Sequence, residues 1–400
     1  MSVARTARFA LVVAFLAAYA TAALADYFDP AQTYSSLSSS VGFSTDRYLG
    51  QGTAVADGRV IFPPAAEYAS QVGIYDPNGN SGTGSFTLTL TVPNAEYSYY
   101  TSALMLDGRV CFVPYFKDKV AVFDPATDSL EYFDTNSTTD RKYNGGVAAN
   151  DGRIIMAPYD EDGVGVFDPT VDPPTFTKFT FTTHPSATGN NAYEGAAKAG
   201  NGKIVFAPYQ QSTPVGIFDP ETNTFSTVPH GAQSSGAVFS GAAAAYGGKV
   251  VLAPIGPGDS IAVYDPDTEQ VTTTPHGQGM DSAFHGAASR VYDGKVILAP
   301  RDGDKIGVFD VRDNSLTTHS PTGLPTGTGM FWSPTPANAT RILLVGRTNS
   351  PTRQLGIFDI ETCDPWPNTM IQSVGRCGVP PCESPCDLAM REMGLLVPCV

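Results

Sequence analysis

One unit recurs seven times along this chain of 400 residues, and no other feature of the sequence limits the possible folds so tightly. Its clearest copy runs Asn201-Gly202-Lys203-Ile204-Val205-Phe206-Ala207-Pro208-Tyr209 and, after a polar stretch, Val215-Gly216-Ile217-Phe218-Asp219-Pro220. Registered on its turn glycine, the unit appears at Gly58, Gly108, Gly152, Gly202, Gly248 and Gly294, with Thr340 in the last copy, at intervals of 50, 44, 50, 46, 46 and 46 residues. A basic residue and an apolar run follow each turn, from Arg59-Val60-Ile61-Phe62 to Arg341-Ile342-Leu343-Leu344. A second apolar run ends in Phe-Asp or Tyr-Asp, at Asp76, Asp124, Asp168, Asp219, Asp265, Asp310 and Asp359. A near-constant period of this length implies one body built from an array, not the two or three domains that length alone suggests.

Within a unit the apolar runs are short, rich in Val, Ile, Phe and Thr, and bounded by Gly, Pro, Asn and Asp, which is the pattern of strands and turns. The third unit reads as four strands: Gly145 to Ala149, a two-residue Asp-Gly hairpin, Ile154 to Pro158, Val164 to Phe167, and Thr175 to Thr182 after the Asp168-Pro169 turn. First strands are built of small residues, as in Gly145-Gly146, Gly195-Ala196-Ala197, Gly241-Ala242-Ala243-Ala244 and Gly286-Ala287-Ala288. Strands crowded around an axis need such residues, and second strands apolar on both sides suit sheets covered on both faces. The fold class expected is therefore all-β, a seven-bladed β-propeller over residues 26–360. Tyr27-Phe28-Asp29-Pro30 is an extra copy of the third-strand ending with no second strand before it, so the following N-terminal strand is expected to close the last blade. The ending apolar-Asp-x-x-Thr, as in Phe218-Asp219-Pro220-Glu221-Thr222 and Tyr264-Asp265-Pro266-Asp267-Thr268, resembles the broad YVTN and NHL-like group of seven-bladed propellers. That resemblance implies architecture, and it implies a range of functions that includes binding modules, structural surface proteins, lyases and lactonases.

The ends of the chain carry a different message. Arg5 and Arg8 precede an apolar run from Phe9 to Leu24, and Ala23-Leu24-Ala25 has the form of a cleavage site, so residues 1–25 read as a signal peptide. A secreted, extracellular protein with no membrane span is expected. The net charge of −15 disfavours nucleic acid as a partner, because phosphate binding rests on Lys and Arg. Cys363, Cys377, Cys382, Cys386 and Cys399 crowd residues 361–400, and in an oxidising compartment they read as a disulfide-stapled tail. Five is odd, so one is free, bridged to another chain, or paired with Cys111. Asn136-Ser137-Thr138 and Asn338-Ala339-Thr340 are glycosylation acceptors.

Candidate functional residues are those that vary inside the constant frame. Before each first strand stands an aromatic and then a changing residue: Tyr48-Leu49, Tyr99-Tyr100, Tyr143-Asn144, Tyr193-Glu194, Phe239-Ser240, Phe284-His285 and Phe331-Trp332. The aromatics read as packing residues, with Tyr143 and Tyr193 kept as ligand candidates; Asn144, Glu194, His285 and Trp332 read as facing the axis. Loops between second and third strands open on the same face and offer Tyr115, Tyr159, Tyr209, Arg301 and Arg347, contact residues of large area or forked donors. A protein, glycan or small-molecule ligand is expected there, with no cofactor. The alternative cofactor is calcium, on Asp160, Asp162, Asp259, Asp302 and Asp304, whose oxygens suit it. His184, His230, His276 and His319 fall near the ends of fourth strands, either as packing residues copied with the repeat or as bases and metal ligands. No Gly-x-Ser-x-Gly, His-Glu-x-x-His or phosphate loop is present. A binding or structural module is expected; the alternative is a secreted lyase or lactone hydrolase with a His/Glu site at the axis, including His285, Glu194 and one of His230 or His276, possibly metal-assisted.

Overall fold

The computed structural model describes residues 32–37, 49–65, 70–80, 84–92, 98–186, 189–232, 236–256, 260–277, 283–289, 294–338, 340–346 and 355–360. The expected signal peptide, the five tail cysteines, Tyr48, Asp259 and Arg347 lie outside the described residues. Residues Tyr34–Phe358 form one compact unit; of the other, Met1–Thr33 with Asp359–Val400, only residues 32, 33, 359 and 360 are described.

Seven four-stranded antiparallel sheets make the seven blades of the propeller. Blade one takes β2 (Thr53–Ala54), β3 (Val60–Phe62), β4 (Gln71–Asp76) and β5 (Ser85–Thr91), and blade two takes β6 (Tyr99–Leu104), β7 (Val110–Pro114), β8 (Lys119–Asp124) and β9 (Ser129–Asp134). Blades three to six repeat this order from the inner strands β10 (Tyr143–Ala148), β14 (Tyr193–Lys198), β18 (Phe239–Ala244) and β22 (Phe284–Ser289). In blade seven the order is β26 (Phe331–Pro336), β27 (Arg341–Gly346), β28 (Leu355–Ile360) and, at the outer edge, β1 (Gln32–Leu37). The N-terminal strand thus closes the last blade, as the extra Phe-Asp-Pro implied. Each inner strand lies against the next around the ring, and β26 lies against β2.

The period-two alternation of a strand explains how a second strand serves two neighbours at once. All of β7 is buried. Val110 and Phe112 join the core shared with blade one, whereas Cys111 and Val113 join the core shared with blade three. Cys111 is consequently a free, fully buried thiol. The glycine of the third-strand motif is explained by the aromatic that opens the inner strand. A Cβ at Gly165 would lie 2.7 Å from Cζ of Tyr143, and one at Gly216 2.8 Å from Cζ of Tyr193. Each such ring therefore lies flat over a glycine, between blades.

Polar pairs bridge the blades at the opposite end. The Arg59 guanidinium reaches Asp128 Oδ1 at 3.2 Å and Pro125 O at 2.5 Å in the next blade. Arg153 likewise reaches Asn223 and Pro220 O, Lys203 reaches Glu269, and Arg341 donates to the Tyr75 hydroxyl at 2.9 Å across the ring closure. Half-exposed pairs contribute about 0–1 kcal/mol each, against about 1.5–3 kcal/mol for each buried Val, Ile or Phe. Apolar packing therefore supplies the cohesion, and the latches fix the offset of one blade on the next.

Two turns were tested by the structure. The Asp of Phe-Asp-Pro accepts backbone N–H groups as expected, from Ala126 on Asp124 at 2.8 Å and from Glu221 on Asp219 at 2.9 Å. The first hairpin differs from expectation. Gly152 donates to Ala149 O and Ala149 to Arg153 O, with φ positive only at the glycine, 92°. This is a three-residue loop with a glycine bulge in place of the two-residue turn; Asp151 instead uses its carboxylate to accept from Arg153 N.

Around the axis, inner strands approach so closely that side chains are excluded. A Cβ on Gly145, at φ 129°, would lie 2.7 Å from Cα of Gly195 in the next blade, whereas Gly231, at φ 70°, has open space around it. Gly231→Ala is expected to cost about 1–2 kcal/mol, the ordinary left-handed penalty, and Gly145→Ala at least twice that in chemical denaturation; equal costs would contradict the close approach. A second expectation concerns Tyr34 on the closing strand, whose hydroxyl burial raises to about 12 from an ordinary value of about 10. Since the neutral phenol is favoured by folding, its stabilisation is complete below about pH 10 and is lost as pH rises through about 12. The difference in melting temperature between the wild type and Tyr34→Phe should therefore change above pH 10, and a pH-independent difference would count against it.

Candidate functional site at the axial mouth

Each inner strand is interrupted at the point where it enters the blade. In β10, Tyr143 pairs with Pro158 but Gly146 pairs with Met156, so Asn144 and Gly145 together oppose one residue. The same irregularity follows Tyr99, Tyr193, Phe239, His285 and Phe331. A bulge re-aims side chains, and here it separates the opening aromatic, buried between blades, from the residue after it. Blade one corrects the sequence registration. Leu49, not Tyr48, bridges Pro64, and Leu49 lies over Gly73 as Tyr143 lies over Gly165. The variable position there is Gly50.

A belt of backbone hydrogen bonds holds the loops beside these positions. Tyr115 N donates to Ser98 O, Lys142 N to Tyr115 O, Tyr159 N to Lys142 O, Ala192 N to Tyr159 O, Tyr209 N to Ala192 O and Val238 N to Tyr209 O, all between 2.7 and 2.9 Å. Arg301 continues the pattern, donating to Ala283 O and accepting from Met330 N. Residues that sequence reading places on loops are thus tied at both backbone groups.

The side chains meet across the ring. His285 of blade six lies with Nε2 3.5 Å from Oε1 of Glu194 in blade four, and Trp332 of blade seven lies 5.9 Å, centroid to centroid, from Tyr100 of blade two. Side chains from blades that are not neighbours can touch only over the interior of the ring. His285 Nδ1 faces Trp332 O at 2.5 Å and its ring lies 4.5 Å from the indole. Donation of the Nδ1 proton to that carbonyl turns Nε2 toward the carboxylate. Tyr100 stacks on Tyr115 at 4.1 Å, and the arc continues through Tyr159 at 5.6 Å and Tyr209 at 5.7 Å. Burial holds the Tyr115 and Tyr159 hydroxyls well above the usual phenol range, and the nearby Glu194 charge adds to the effect on both. Glu194, His285, Tyr115 and Tyr159 are buried, whereas Tyr100, Tyr209 and Trp332 are partly exposed and form the accessible rim.

Other candidates fall elsewhere. Tyr143 and Tyr193 are wholly buried between blades, Asn144 is buried at the inner end, and Arg301 lies 3.8 Å from Asp302. Asp160 pairs with Arg141 at 2.7 Å, Asp162 with Lys178 at 2.6 Å, Asp302 accepts from Gly329 N, and Asp304 is exposed. Among the described residues no group of three or more His, Cys, Asp or Glu is placed to hold a metal ion. His230 and His276 lie edge-on to Phe239 and Phe284 at the blade boundary, and His230 is fixed by Gln211 O and Ala232 N. Packing against the opening aromatic of the next blade thus takes up both rings, correcting the alternative that put one of them beside His285. Asn136 and Asn338 are exposed. Glu161, in the same acidic loop, is buried and accepts from Lys178 at 2.9 Å and from Ser137; sequence reading missed the buried Lys142, whose Nζ donates to Thr139 O. Lys142 stands directly before Tyr143, so its position in the frame was the available signal.

No protein-family model and no curated protein sequence matches the chain. Solved structures do. A streptogramin B lyase aligns with TM-score 0.65 and 15% identity over 84% of this chain and 99% of that one. A virginiamycin B lyase from Staphylococcus aureus aligns with TM-score 0.65 and 14% identity over 82% of this chain and 99% of that one. The extracellular domain of a putative hybrid two-component system from B. thetaiotaomicron aligns with TM-score 0.59 and 10% identity, over 83% of this chain and 43% of that one. At these identities the likeness is one of fold: the chain is a seven-bladed β-propeller similar to these proteins.

Contact between His285 and Trp332 gives a spectroscopic handle. In a Trp366→Phe background, leaving Trp332 as the one indole, His285→Gln should change the emission intensity, because it removes the ring 4.5 Å from the indole. Emission unchanged in that variant would contradict the contact.

Proposed function

We propose that the protein is a secreted propeller that binds a small organic ligand at the axial mouth of its loop face. The observation that carries this reading is the convergence of Glu194, His285, Trp332, Tyr100 and Tyr115 from blades four, six, seven and two onto one place. An apolar, aromatic surface with a few placed polar groups is the usual composition of a ligand site. Secretion is supported by the form of residues 1–25 and by likeness to extracellular domains; among the described residues no helix is long and apolar enough to cross a membrane. The exposed Asn136 and Asn338 suit glycosylation, and the tail cysteines suit an anchoring crosslink.

A second reading is favoured by the imidazole geometry. With Nδ1 turned to Trp332 O and Nε2 to Glu194, His285 has the fixed orientation that general acid–base chemistry requires, and the similarity to lyases adds a fold-level analogy. A secreted lyase or lactone hydrolase would use the His285–Glu194 pair as its acid–base group, through the proton held between Nε2 and the carboxylate.

Thermal-shift and calorimetric screening of neutral glycans, aromatic compounds, lactones and amines should find a ligand whose binding is lost in Trp332→Ala and retained in Tyr132→Ala, an exposed outer-strand control. Turnover of a lactone lost in His285→Gln would select the second reading. A panel with no saturable, Trp332-dependent binding would contradict both.

A further inference from the structure

We propose that His230 is an acid-sensitive clip: on taking up a proton it releases the loop 209–213, which carries Tyr209 to the rim of the loop face. The inference concerns the scaffold and stands whatever the rim binds. It starts from the two ring nitrogens. Ala232 N donates to Nδ1 at 3.1 Å, so that nitrogen is an acceptor and carries no proton. The single ring proton is then on Nε2, which donates to Gln211 O at 3.1 Å. The neutral imidazole thus ties two segments by using its nitrogens in opposite senses. An imidazolium, a donor at both, cannot keep the bond from Ala232. His184, near the end of the fourth strand in blade three, is placed differently: its Nδ1 lies 3.2 Å from Ser186 O as well as 3.1 Å from Ser186 N, and its Nε2 faces Glu161 O at 3.3 Å.

What the clip fastens is a short antiparallel ladder. Val238 N donates to Tyr209 O at 2.8 Å, Gln210 bridges Ala237, and Gln211 N donates to Gly236 O at 3.2 Å. The belt holds this ladder at Tyr209, and His230 holds it at the other end. The ring is buried and lies edge-on to Phe239 at 5.5 Å. The segments packed on it, 209–213, 228–232 and β18, bring Phe239 and backbone groups, and Tyr209 is the one other ionisable side chain they carry, so none of them supplies a carboxylate to an imidazolium. Burial lowers the proton affinity of the ring and outweighs the support that the Gln211 and Thr213 backbone groups lend to the charged form. Because folding favours the neutral ring, its contribution is complete above about pH 6.5, the ordinary histidine value, and is lost as pH falls through the lower folded value.

The test is residue-level amide exchange of the full chain, expressed as protection relative to the intrinsic rate at each pH, together with ring-nitrogen NMR spectra of His230. Between about pH 7 and about pH 5, protection at Gln211, Ala232 and Val238 should fall about tenfold or more while that of β7 stays constant. His230→Asn, whose Oδ1 can accept from Ala232 N as the Asp124 carboxylate accepts from Ala126 N, does not titrate and should remove the pH dependence. The wild-type ring should show the Nε2–H tautomer and titrate below about 6.5; this measurement decides the matter if the variant does not fold. Titration at or above that value, the Nδ1–H tautomer, protection that does not change with pH or falls equally in β7, or a pH dependence that persists in His230→Asn would overturn the proposal.

Discussion

The close approach of inner strands around the axis is the constraint on which the rest of the molecule depends. Where β10, β14 and β18 meet, the third residue of each must be glycine at positive φ, because a Cβ there would enter the neighbouring backbone. The same conformation breaks the ladder and produces the bulge. Two consequences follow from one local geometry. The residue before the bulge is driven between blades, where Tyr143, Tyr193 and Phe284 are buried over third-strand glycines. The residue that follows this aromatic, within the bulge, is released toward the axis, where the fold does not prescribe its identity. The scaffold thus separates a position that must be large and apolar from one that is open to chemistry.

The axial residues inherit their rigidity from the belt. Loops ordinarily supply function at the expense of order, yet Tyr115, Tyr159 and Tyr209 carry side chains of the site on backbone bonded on both sides. Their rings support each other through tilted contacts, and aromatic pairs are worth about 0.5–1.5 kcal/mol each beyond their burial. Against that, a buried carboxylate is expensive. Asp160 and Glu161, on the same face, meet that cost with Arg141 and Lys178, and Glu194 faces the His285 imidazole at 3.5 Å.

Much of this was legible in the sequence, and the part that was not has a physical cause. The repeat, the four strands, the closing strand and the hydrogen bonding of the Phe-Asp-Pro carboxylate follow from local pattern, because turn chemistry and strand period act within a few residues. The registration of blade one slipped by a residue: Tyr48 is aromatic, but it is Leu49 that bridges Pro64 and occupies the packing position. The hairpin glycines were visible, whereas their bulge was not, since Asp-Gly serves both loop lengths. His230 and His276 allowed a packing role or a site role, and their rings lie edge-on to Phe239 and Phe284 of the next blade, as the packing reading expects. Glu194 and His285 were grouped at the axis by their shared place in the frame; that their side chains touch depends on blades two places apart, a distance set by the ring and by no local feature. The Arg59, Arg153 and Arg341 latches stood in plain view after each turn, but their partners lie in the following blade.

The central claim is that a rigid belt presents variable side chains from separate blades as one site. Amide hydrogen exchange measured residue by residue tests it most directly, because protection in a loop reports bonding that local sequence does not supply. The account predicts that the amides of Lys142, Tyr159, Ala192, Tyr209 and Val238 exchange as slowly as those of the central strands β7 and β8. Exchange of these amides at rates typical of open loops would contradict it.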